Sequence, residues 1–211
     1  MSKNLLRERM LAHFGHNVVI AAYGDLDDPE NVALECEDCG CVIFDDGAYD
    51  LCEAAKEEEE ANVQETLGKT YIHYGSKVFN REIGFPVRNR HGHNKPFGGL
   101  WASATDAKCG WKQWCEREEF KRCDEGNAFR FTLKESARVL VLNSEDKVKE
   151  LPNWTSNYEY LGVKCIDWAK VAKDYDVVDY QVSKDYGLHT TLYGWDCDSI
   201  LVLNPDVVVP A

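Results

Sequence analysis

The sequence has no apolar run that approaches the roughly 20 residues needed to cross a lipid bilayer. Its opening segment, MSKNLLRERM, also lacks the apolar core of a secretory signal peptide. We therefore expect a cytoplasmic protein that has no membrane partner.

The nucleotide-binding fingerprints of the Rossmann and P-loop types are absent as well, and no internal repeat is visible. Strand-like segments outnumber helical ones and do not alternate strictly with them. This pattern predicts an α+β fold rather than a parallel sheet with crossover helices.

The cysteines argue against a disulfide framework. There are nine of them, an odd number, and they are scattered from Cys36 to Cys197. In a reducing compartment such residues are mostly small buried hydrophobes, so we expect free thiols.

Basic residues are scarce in the N-terminal third of the chain. Residues 1–65 contain four basic and seventeen acidic side chains and so carry the whole net charge of −13, whereas the rest of the chain is balanced. So sharp a change in composition predicts a domain boundary near residue 65. We expect a small acidic, cysteine-bearing accessory module at residues 1–64 and a larger domain at residues 66–211.

Hydrophobic spacing predicts the elements of both parts. In the module we expect a helix over residues 4–14 that ends at Gly15, strands over 17–23, 32–35 and 41–44, and a polar helix or linker over 53–64. In the larger domain we expect strands over residues 70–74, 98–103, 129–133, 139–142, 177–182 and 199–203, helices over 111–120 and 165–173, and a basic loop over 81–95. Trp111 and Trp114 share a face of the first of these helices, which is typical of core residues.

Two ligand-like pairs occur in the accessory module. His13 and His16 form an HxxH pair, and Cys36 and Cys39 form a CxxC pair, and both residue types bind zinc tetrahedrally. Two more cysteines follow as further candidates, Cys41 and Cys52. A second CxxC, which would complete a common zinc signature, is missing. The favoured expectation is therefore a small β module with buried thiols, and zinc binding is the alternative.

Three segments of the larger domain carry a resemblance to a known superfamily. Residues 71–76 (YIHYGS) place a histidine in a strand just before Gly and Ser, and residues 98–103 (GGLWAS) place an aromatic residue between two glycines and a serine. Residues 196–203 (DCDSILVL) open a late apolar strand with acidic side chains. In this order the segments resemble the ADP-ribosyltransferase superfamily, in its diphtheria-toxin and PARP-like branch with a His–aromatic–acid signature. The resemblance covers residues 66–211 and implies a split β-sheet.

The resemblance implies that NAD is the substrate and that its nicotinamide–ribose bond is cleaved through an oxocarbenium-like transition state. His73 would hold a ribose hydroxyl and the nicotinamide amide, and Trp101, where the family usually has Tyr, would stack on nicotinamide. An acid would stabilise the developing positive charge. That acid is Asp198, where the family usually has Glu, or Asp196, which the spacing places on the same face of an extended strand. The further NAD-binding residues would be Tyr74, Gly75, Ser76, Gly99, Ser103 and, from the basic loop, Arg90.

The leading functional hypothesis is an NAD-dependent ADP-ribosyltransferase that modifies a macromolecular acceptor, protein or nucleic acid, and releases nicotinamide. NAD hydrolysis without transfer and an RNA 2′-phosphotransferase-like reaction are other enzymatic options. The main alternative is non-enzymatic: residues 1–64 would act as an acidic inhibitor or adapter that binds a basic, nucleic-acid-binding partner. A zinc-dependent binding module is the third alternative.

Overall fold

The computed structural model describes residues 3–25, 27–45, 51–90, 93–154, 165–185 and 187–211. Helices and strands are mixed throughout this part of the chain, which confirms the α+β class. The chain divides into two compact units, Met1–Ala61 and Asn62–Ala211. The division falls inside one helix, a few residues before the change in charge near residue 65. None of the described helices is long and apolar enough to span a membrane.

The N-terminal unit contains a helix followed by a three-stranded antiparallel sheet. α1 (Lys3–Ala12) is followed by Gly15 with φ of 88°, a conformation that favours glycine and takes the chain out of the helical path. The three strands pair in sequence order and are β1 Val18–Asp25, β2 Asp28–Cys36 and β3 Cys41–Asp45. The predicted helix and strands are confirmed, although β1 and β2 extend further into the turn-rich segment between them. The predicted polar helix is α2 (Leu51–Leu67).

The C-terminal unit is built around one large sheet. Its strands are β4 Tyr71–Tyr74, β7 Leu100–Ala104, β8 Ala128–Leu133, β9 Val139–Leu142, β12 Val177–Tyr180, β13 Ser199–Val202 and β14 Val208–Pro210. They lie in the order β14-β8-β4-β7-β13-β12-β9, and neighbours are antiparallel except for β12 and β9, which are parallel. Six of these strands correspond to predicted ones, and β14 was not predicted.

Short elements connect the strands of the sheet. Two hairpins pair β5 with β6 and β10 with β11, and their bounds are β5 Arg88–Arg90, β6 His93–Phe97, β10 Asn153–Trp154 and β11 Cys165–Ile166. The helices are α3 Trp111–Arg117, α4 Glu145–Lys149, α5 Trp168–Asp174 and α6 Gly187–Thr191. The basic segment 81–95 is therefore partly a hairpin rather than a loop. The predicted helix over 165–173 begins only at Trp168, because Asp167 caps it by accepting a hydrogen bond from Lys170 N.

The core forms two layers, one on each face of the large sheet. Leu142, Val178 and Leu201 belong to one hydrophobic cluster, while Val177 and Ile200 belong to the other. Side chains alternate between the faces of a strand, so the β9, β12 and β13 end of the sheet is buried on both sides.

Candidate functional site

The large sheet splits between β4 and β7. In the described part of the chain, β4 pairs with β7 at Tyr71 and Ile72 and stops there, whereas its pairing with β8 continues to Tyr74. β7 stays paired with β13 beyond this point. The two strands therefore diverge after Ile72, and a cavity of about 320 Å³ is lined by side chains from both.

The structure brings most of the predicted site residues to this cavity and leaves others outside it. Those that line it are His73, Tyr74, Gly75, Trp101, Ser103 and Asp196. Those that do not are Asp198, Ser76, Gly99 and Arg90. The three signature segments thus meet at one place, although they are far apart in the sequence.

His73 bridges the split in the sheet. Its Nδ1 lies 2.7 Å from the carbonyl oxygen of Trp101. A carbonyl oxygen can only accept a hydrogen bond, so Nδ1 is the ring nitrogen that carries the proton. The neutral imidazole then has its lone pair on Nε2, which can accept a hydrogen bond from a hydroxyl or amide group of a ligand.

Trp101 forms an aromatic wall of the cavity and is held firmly in place. Its Nε1 donates to the Gly98 carbonyl oxygen at 3.0 Å, and the Trp195 ring lies edge-on with centroids 4.6 Å apart. The Lys95 ammonium lies 4.6 Å from the Trp101 ring centroid, a cation–π contact, and donates to the Gly194 carbonyl oxygen at 2.9 Å. A ligand can stack on that face of Trp101 only by displacing Lys95.

Lys95 is partly buried, and its surroundings change its pKa. Desolvation lowers its pKa, and the nearby Asp196 carboxylate opposes this effect. Lys95 also shares the lining with Lys121 and Arg122, so three basic side chains face two acidic ones, Asp124 and Asp196. The cavity can therefore hold an anionic group.

The two candidate acids occupy different sites. Asp196 lines the cavity, and its Oδ1 lies 4.0 Å from His189 Nε2. The Asp198 carboxylate instead accepts hydrogen bonds from Ser183 N at 2.9 Å and Ser183 Oγ at 2.6 Å, in a separate polar pocket. The expectation that both acids share one face is wrong, because β13 begins only at Ser199 and the alternation of a strand does not apply before it.

Ser103 has a positioning role at the floor of the cavity. The side chain is buried, and its Oγ donates to the Asp198 carbonyl oxygen at 3.0 Å and accepts from Trp111 N at 2.9 Å. These bonds tie β7 to the start of α3 and to the loop that carries Asp196. Both hydrogen bonds are to backbone groups, which suits a residue that fixes the walls of a site.

The glycines before β7 are explained by packing inside the protein. A Cβ on Gly98, which has φ of 92°, would lie 2.2 Å from the Gly84 carbonyl oxygen. A Cβ on Gly99 would lie 2.4 Å from Leu201 Cδ1. Glycine is needed at both positions to let two segments of backbone and a core side chain approach. The surroundings of Gly99 therefore do not require a ligand.

Two other predicted NAD-binding residues lie away from the cavity. Ser76 Oγ donates to the Val78 carbonyl oxygen at 2.7 Å and closes a local turn. Arg90 is exposed at the end of β5. Neither residue is placed to contact a ligand that fills the cavity described above.

Several lining residues were not recognised from the sequence. Trp111 and Trp114 were expected in the core, but both are half-buried and stacked with centroids 5.0 Å apart, and Trp111 lines the cavity. The core prediction was wrong because α3 is short and buries only Cys115. Trp195 could have been found from its position next to Asp196. No motif marks other unrecognised lining residues such as Lys121, Arg122 and Asn127.

Two thiols also line the cavity, and both are poor nucleophiles. Burial raises the pKa of Cys197 to about 11. Burial and the neighbouring Cys115 thiol raise the pKa of Cys123 to about 11 as well. The reactive form of cysteine is the thiolate, so neither side chain is suited to covalent catalysis near neutral pH.

In the N-terminal unit, the four metal-ligand candidates of the sequence come together. His13, His16, Cys36 and Cys39 each offer one ligand atom, and these atoms all lie within 4.8 Å of one another. Cys41 is exposed, and its Sγ donates to the Cys39 carbonyl oxygen at 3.7 Å. The side chain of the remaining candidate, Cys52, lies outside the described part of the chain.

Comparison with known proteins provides no relative for this chain. No protein-family model, no curated protein and no solved structure matches it. Its function is therefore interpreted from the geometry of its own residues.

Proposed function

We propose that the C-terminal unit is an NAD-dependent ADP-ribosyltransferase. The observation that carries this proposal is the convergence of the three signature segments on one cavity at the split of the sheet. His73, Trp101 and Asp196 come from strands and a loop distant in sequence, and all three line the same space of about 320 Å³. The resemblance to ADP-ribosyltransferases assigns a histidine, an aromatic wall and a carboxylate to NAD cleavage, and a carboxylate can stabilise the positive charge that develops on the ribose.

The size of the cavity suits one half of the dinucleotide. Ligand pockets usually measure about 300–1,000 Å³, and this cavity is at the lower end of that range. Nicotinamide and its ribose fill it, while the adenosine half extends beyond it. The basic side chains of Lys121 and Arg122 at the lining then lie within reach of the pyrophosphate.

Three residues have distinct roles in this proposal. His73 Nε2 accepts a hydrogen bond from a ribose hydroxyl or from the nicotinamide amide, because Nδ1 is engaged by the Trp101 carbonyl oxygen. Asp196 is the acid that faces the ribose. Asp198 keeps the loop in place through Ser183 and does not contact the substrate.

The reaction breaks the C1′–N bond between ribose and nicotinamide, and the electron pair of that bond leaves with nicotinamide. The nucleophile of the acceptor forms a new bond to C1′ and releases its proton to solvent. Positive charge develops on the ribose before the new bond is complete, and the Asp196 carboxylate stabilises it electrostatically. Desolvation by the surrounding tryptophans strengthens this interaction.

The acceptor is a macromolecule with a nucleophilic group, protein or nucleic acid. The cavity is lined by the three cations Lys95, Lys121 and Arg122. Water competes with this acceptor for C1′ of the ribose, and its attack would give NAD hydrolysis without transfer.

Nicotinamide release from labelled NAD tests the proposal. The purified full chain is assayed with and without cell lysate, beside His73→Ala and Asp196→Asn. We expect each substitution to reduce release by at least about 100-fold, because each removes a group that acts on the breaking bond. The matched controls are His93→Ala, an exposed histidine on β6, and Asp174→Asn, an exposed aspartate at the end of α5, and both should keep wild-type release.

The location of the label separates the outcomes. Label retained on protein or nucleic acid of the lysate establishes a transferase and names its acceptor class, whereas release without retained label indicates NAD hydrolysis. Equal release from His73→Ala and wild type, or no release at all together with no NAD-induced thermal shift, contradicts the proposal.

A second candidate function rests on the charge of the N-terminal unit. Exposed acidic side chains of β1, β2 and the turns beside them include Asp25, Asp28, Glu30, Glu37 and Asp38. Such a surface attracts a basic partner, as an inhibitor or adapter of a nucleic-acid-binding protein does. Binding of this kind weakens steeply as ionic strength rises, because salt screens exposed charges, so a salt-independent affinity would exclude it.

A further inference from the structure

The turn after α1 presents two histidine rings on one side. α1 ends at Ala12, and the next residues form a turn in which His16 N donates to the His13 carbonyl oxygen at 3.0 Å. This turn places the two imidazole centroids 5.6 Å apart, with the ring planes at 76°. Two rings at this angle can direct one nitrogen each toward a common point.

The turn between β2 and β3 presents two thiols in the same way. β2 ends at Cys36 and β3 begins at Cys41. Gly40 has φ of 67° and donates its N–H to the Cys36 carbonyl oxygen at 2.8 Å, which reverses the chain tightly. The reversal brings the side chains of Cys36 and Cys39 to one side of the hairpin.

Hydrogen bonds of Asn17 hold the two turns together. Asn17 N donates to Asp38 Oδ2 at 2.8 Å, and Glu37 N donates to the Asn17 carbonyl oxygen at 3.0 Å. The Asn17 side-chain amide also donates to the Glu37 carboxylate. These bonds fix the histidine turn against the cysteine turn without using any of the four candidate ligands.

The ligand atoms have the spacing of a tetrahedral site. His16 Nδ1 lies 3.5 Å from Cys36 Sγ and 3.0 Å from Cys39 Sγ, and all four ligand atoms lie within 4.8 Å of one another. Zinc bonds of about 2.3 Å to sulfur and about 2.0 Å to nitrogen place tetrahedral ligand atoms about 3.3–3.8 Å apart. The cluster therefore needs only small side-chain movements to hold an ion.

The surroundings of the cluster point to the same ligand. Nδ1 of His13 is buried and has no hydrogen-bond partner among the described residues, which is costly for a polar atom. The apolar core of this unit is also small: the buried hydrophobic side chains in its described part are Ala33, Cys36 and Ile43. Small domains with so little buried apolar surface often gain the missing stability from a metal or a disulfide.

We propose that the N-terminal unit binds one zinc ion through His13, His16, Cys36 and Cys39. Two imidazole nitrogens and two thiolates in a tetrahedral arrangement favour zinc over calcium or magnesium, which prefer oxygen ligands. All four positions are filled by protein, so the ion is structural and leaves no place for a substrate. It connects the end of α1 to the β2–β3 hairpin.

Metal content of the full chain tests this site directly. Reduced wild-type protein is incubated with equimolar zinc, excess ion is removed, and bound metal is measured by mass spectrometry. We expect one zinc per chain in wild type and a loss of at least about tenfold in occupancy in Cys39→Ser and His16→Asn, because each removes one of four ligands. Cys41→Ser is the matched control, since this exposed thiol is two residues from Cys39 and outside the cluster.

A cobalt titration of wild type gives a second readout that does not depend on any variant. Cobalt(II) in the proposed site should show the strong visible bands of a tetrahedral ion and the near-ultraviolet charge-transfer band of thiolate ligands, and zinc should abolish both. Absence of stoichiometric metal and of these bands in the wild type would overturn the proposal. Equal loss of metal in Cys41→Ser and Cys39→Ser would overturn the ligand assignment.

Discussion

The two units of the molecule bury apolar surface in different ways. In the C-terminal unit, the strands β9, β12 and β13 are covered on both faces, and large side chains such as Trp168 and Leu142 are wholly buried. In the described part of the N-terminal unit, three apolar side chains are buried while Phe14 is 87% exposed and Ile20 is 74% exposed. Hydrophobic burial can stabilise the C-terminal unit, whereas the N-terminal unit depends on the proposed zinc ligation. The proposed catalytic cavity belongs to the C-terminal unit.

The largest expected effect of a substitution is in the core of the C-terminal unit. Leu142→Ala removes a side chain with 0% exposure from one hydrophobic layer. We expect the free energy of unfolding of this unit to fall by about 2–5 kcal/mol. The substitution removes buried apolar atoms and leaves an empty space whose neighbours lose packing contacts. Urea unfolding followed by tryptophan fluorescence measures the change.

Two controls test whether the effect of Leu142→Ala is specific to the core and to the C-terminal unit. Ile83→Ala removes an aliphatic side chain that is 71% exposed, and it should change the free energy of unfolding by no more than about 0.5 kcal/mol. Zinc content should stay the same in Leu142→Ala, because the metal site lies in the other unit. Loss of zinc in Leu142→Ala would show that the two units do not fold independently.

A smaller, pH-dependent effect is expected from one ion pair of the C-terminal unit. The Arg138 guanidinium donates to both Asp176 carboxylate oxygens at 3.0 Å and holds the pKa of Asp176 at about 2, well below the usual range of an aspartate. A carboxyl whose pKa is lower in the folded state stabilises the fold above its unfolded pKa and loses that contribution as the pH falls toward the folded pKa. Arg138→Gln should therefore lower the free energy of unfolding at pH 6, and solvent screening around the exposed Arg138 side chain keeps this loss well below that of Leu142→Ala.

The pH dependence identifies the source of that effect. The difference in free energy of unfolding between wild type and Arg138→Gln should shrink as the pH falls from about 4 through about 2, because Asp176 then becomes protonated in both proteins. The matched control is Arg81→Gln, which breaks an exposed pair with Asp206 and should cost less than about 1 kcal/mol. A difference that stays constant down to pH 2 would mean that Arg138 acts through packing alone.

The sequence predicts the strands of the large sheet well because most are buried on one or both faces. The segments 139–142 and 200–203 are apolar throughout, so their composition and length identify them without knowledge of the fold. β14 escaped prediction because Val208–Pro210 is short and contains a proline, and the strand is defined only by its pairing with β8. The β5–β6 hairpin escaped for a similar reason, since its residues are mostly polar.

The candidate site was predictable only where a residue lies in a motif. His73 and Trp101 lie in strands, and the glycine and serine residues near them in the sequence complete the motifs that identified them. To choose between Asp196 and Asp198, one must know that β13 begins at Ser199. Strand pairing determines this boundary, and the composition of the segment does not reveal it. Lys95 required tertiary structure, because its contact with Trp101 joins two separate segments.

Hydrogen–deuterium exchange of the full chain with and without saturating NAD tests whether the cavity binds the dinucleotide. We expect slower exchange over residues 71–76, 98–103 and 195–199, no change over residues 13–45, and no protection in His73→Ala. Protection confined to other segments, or none in wild type, would contradict the claim that this cavity binds NAD.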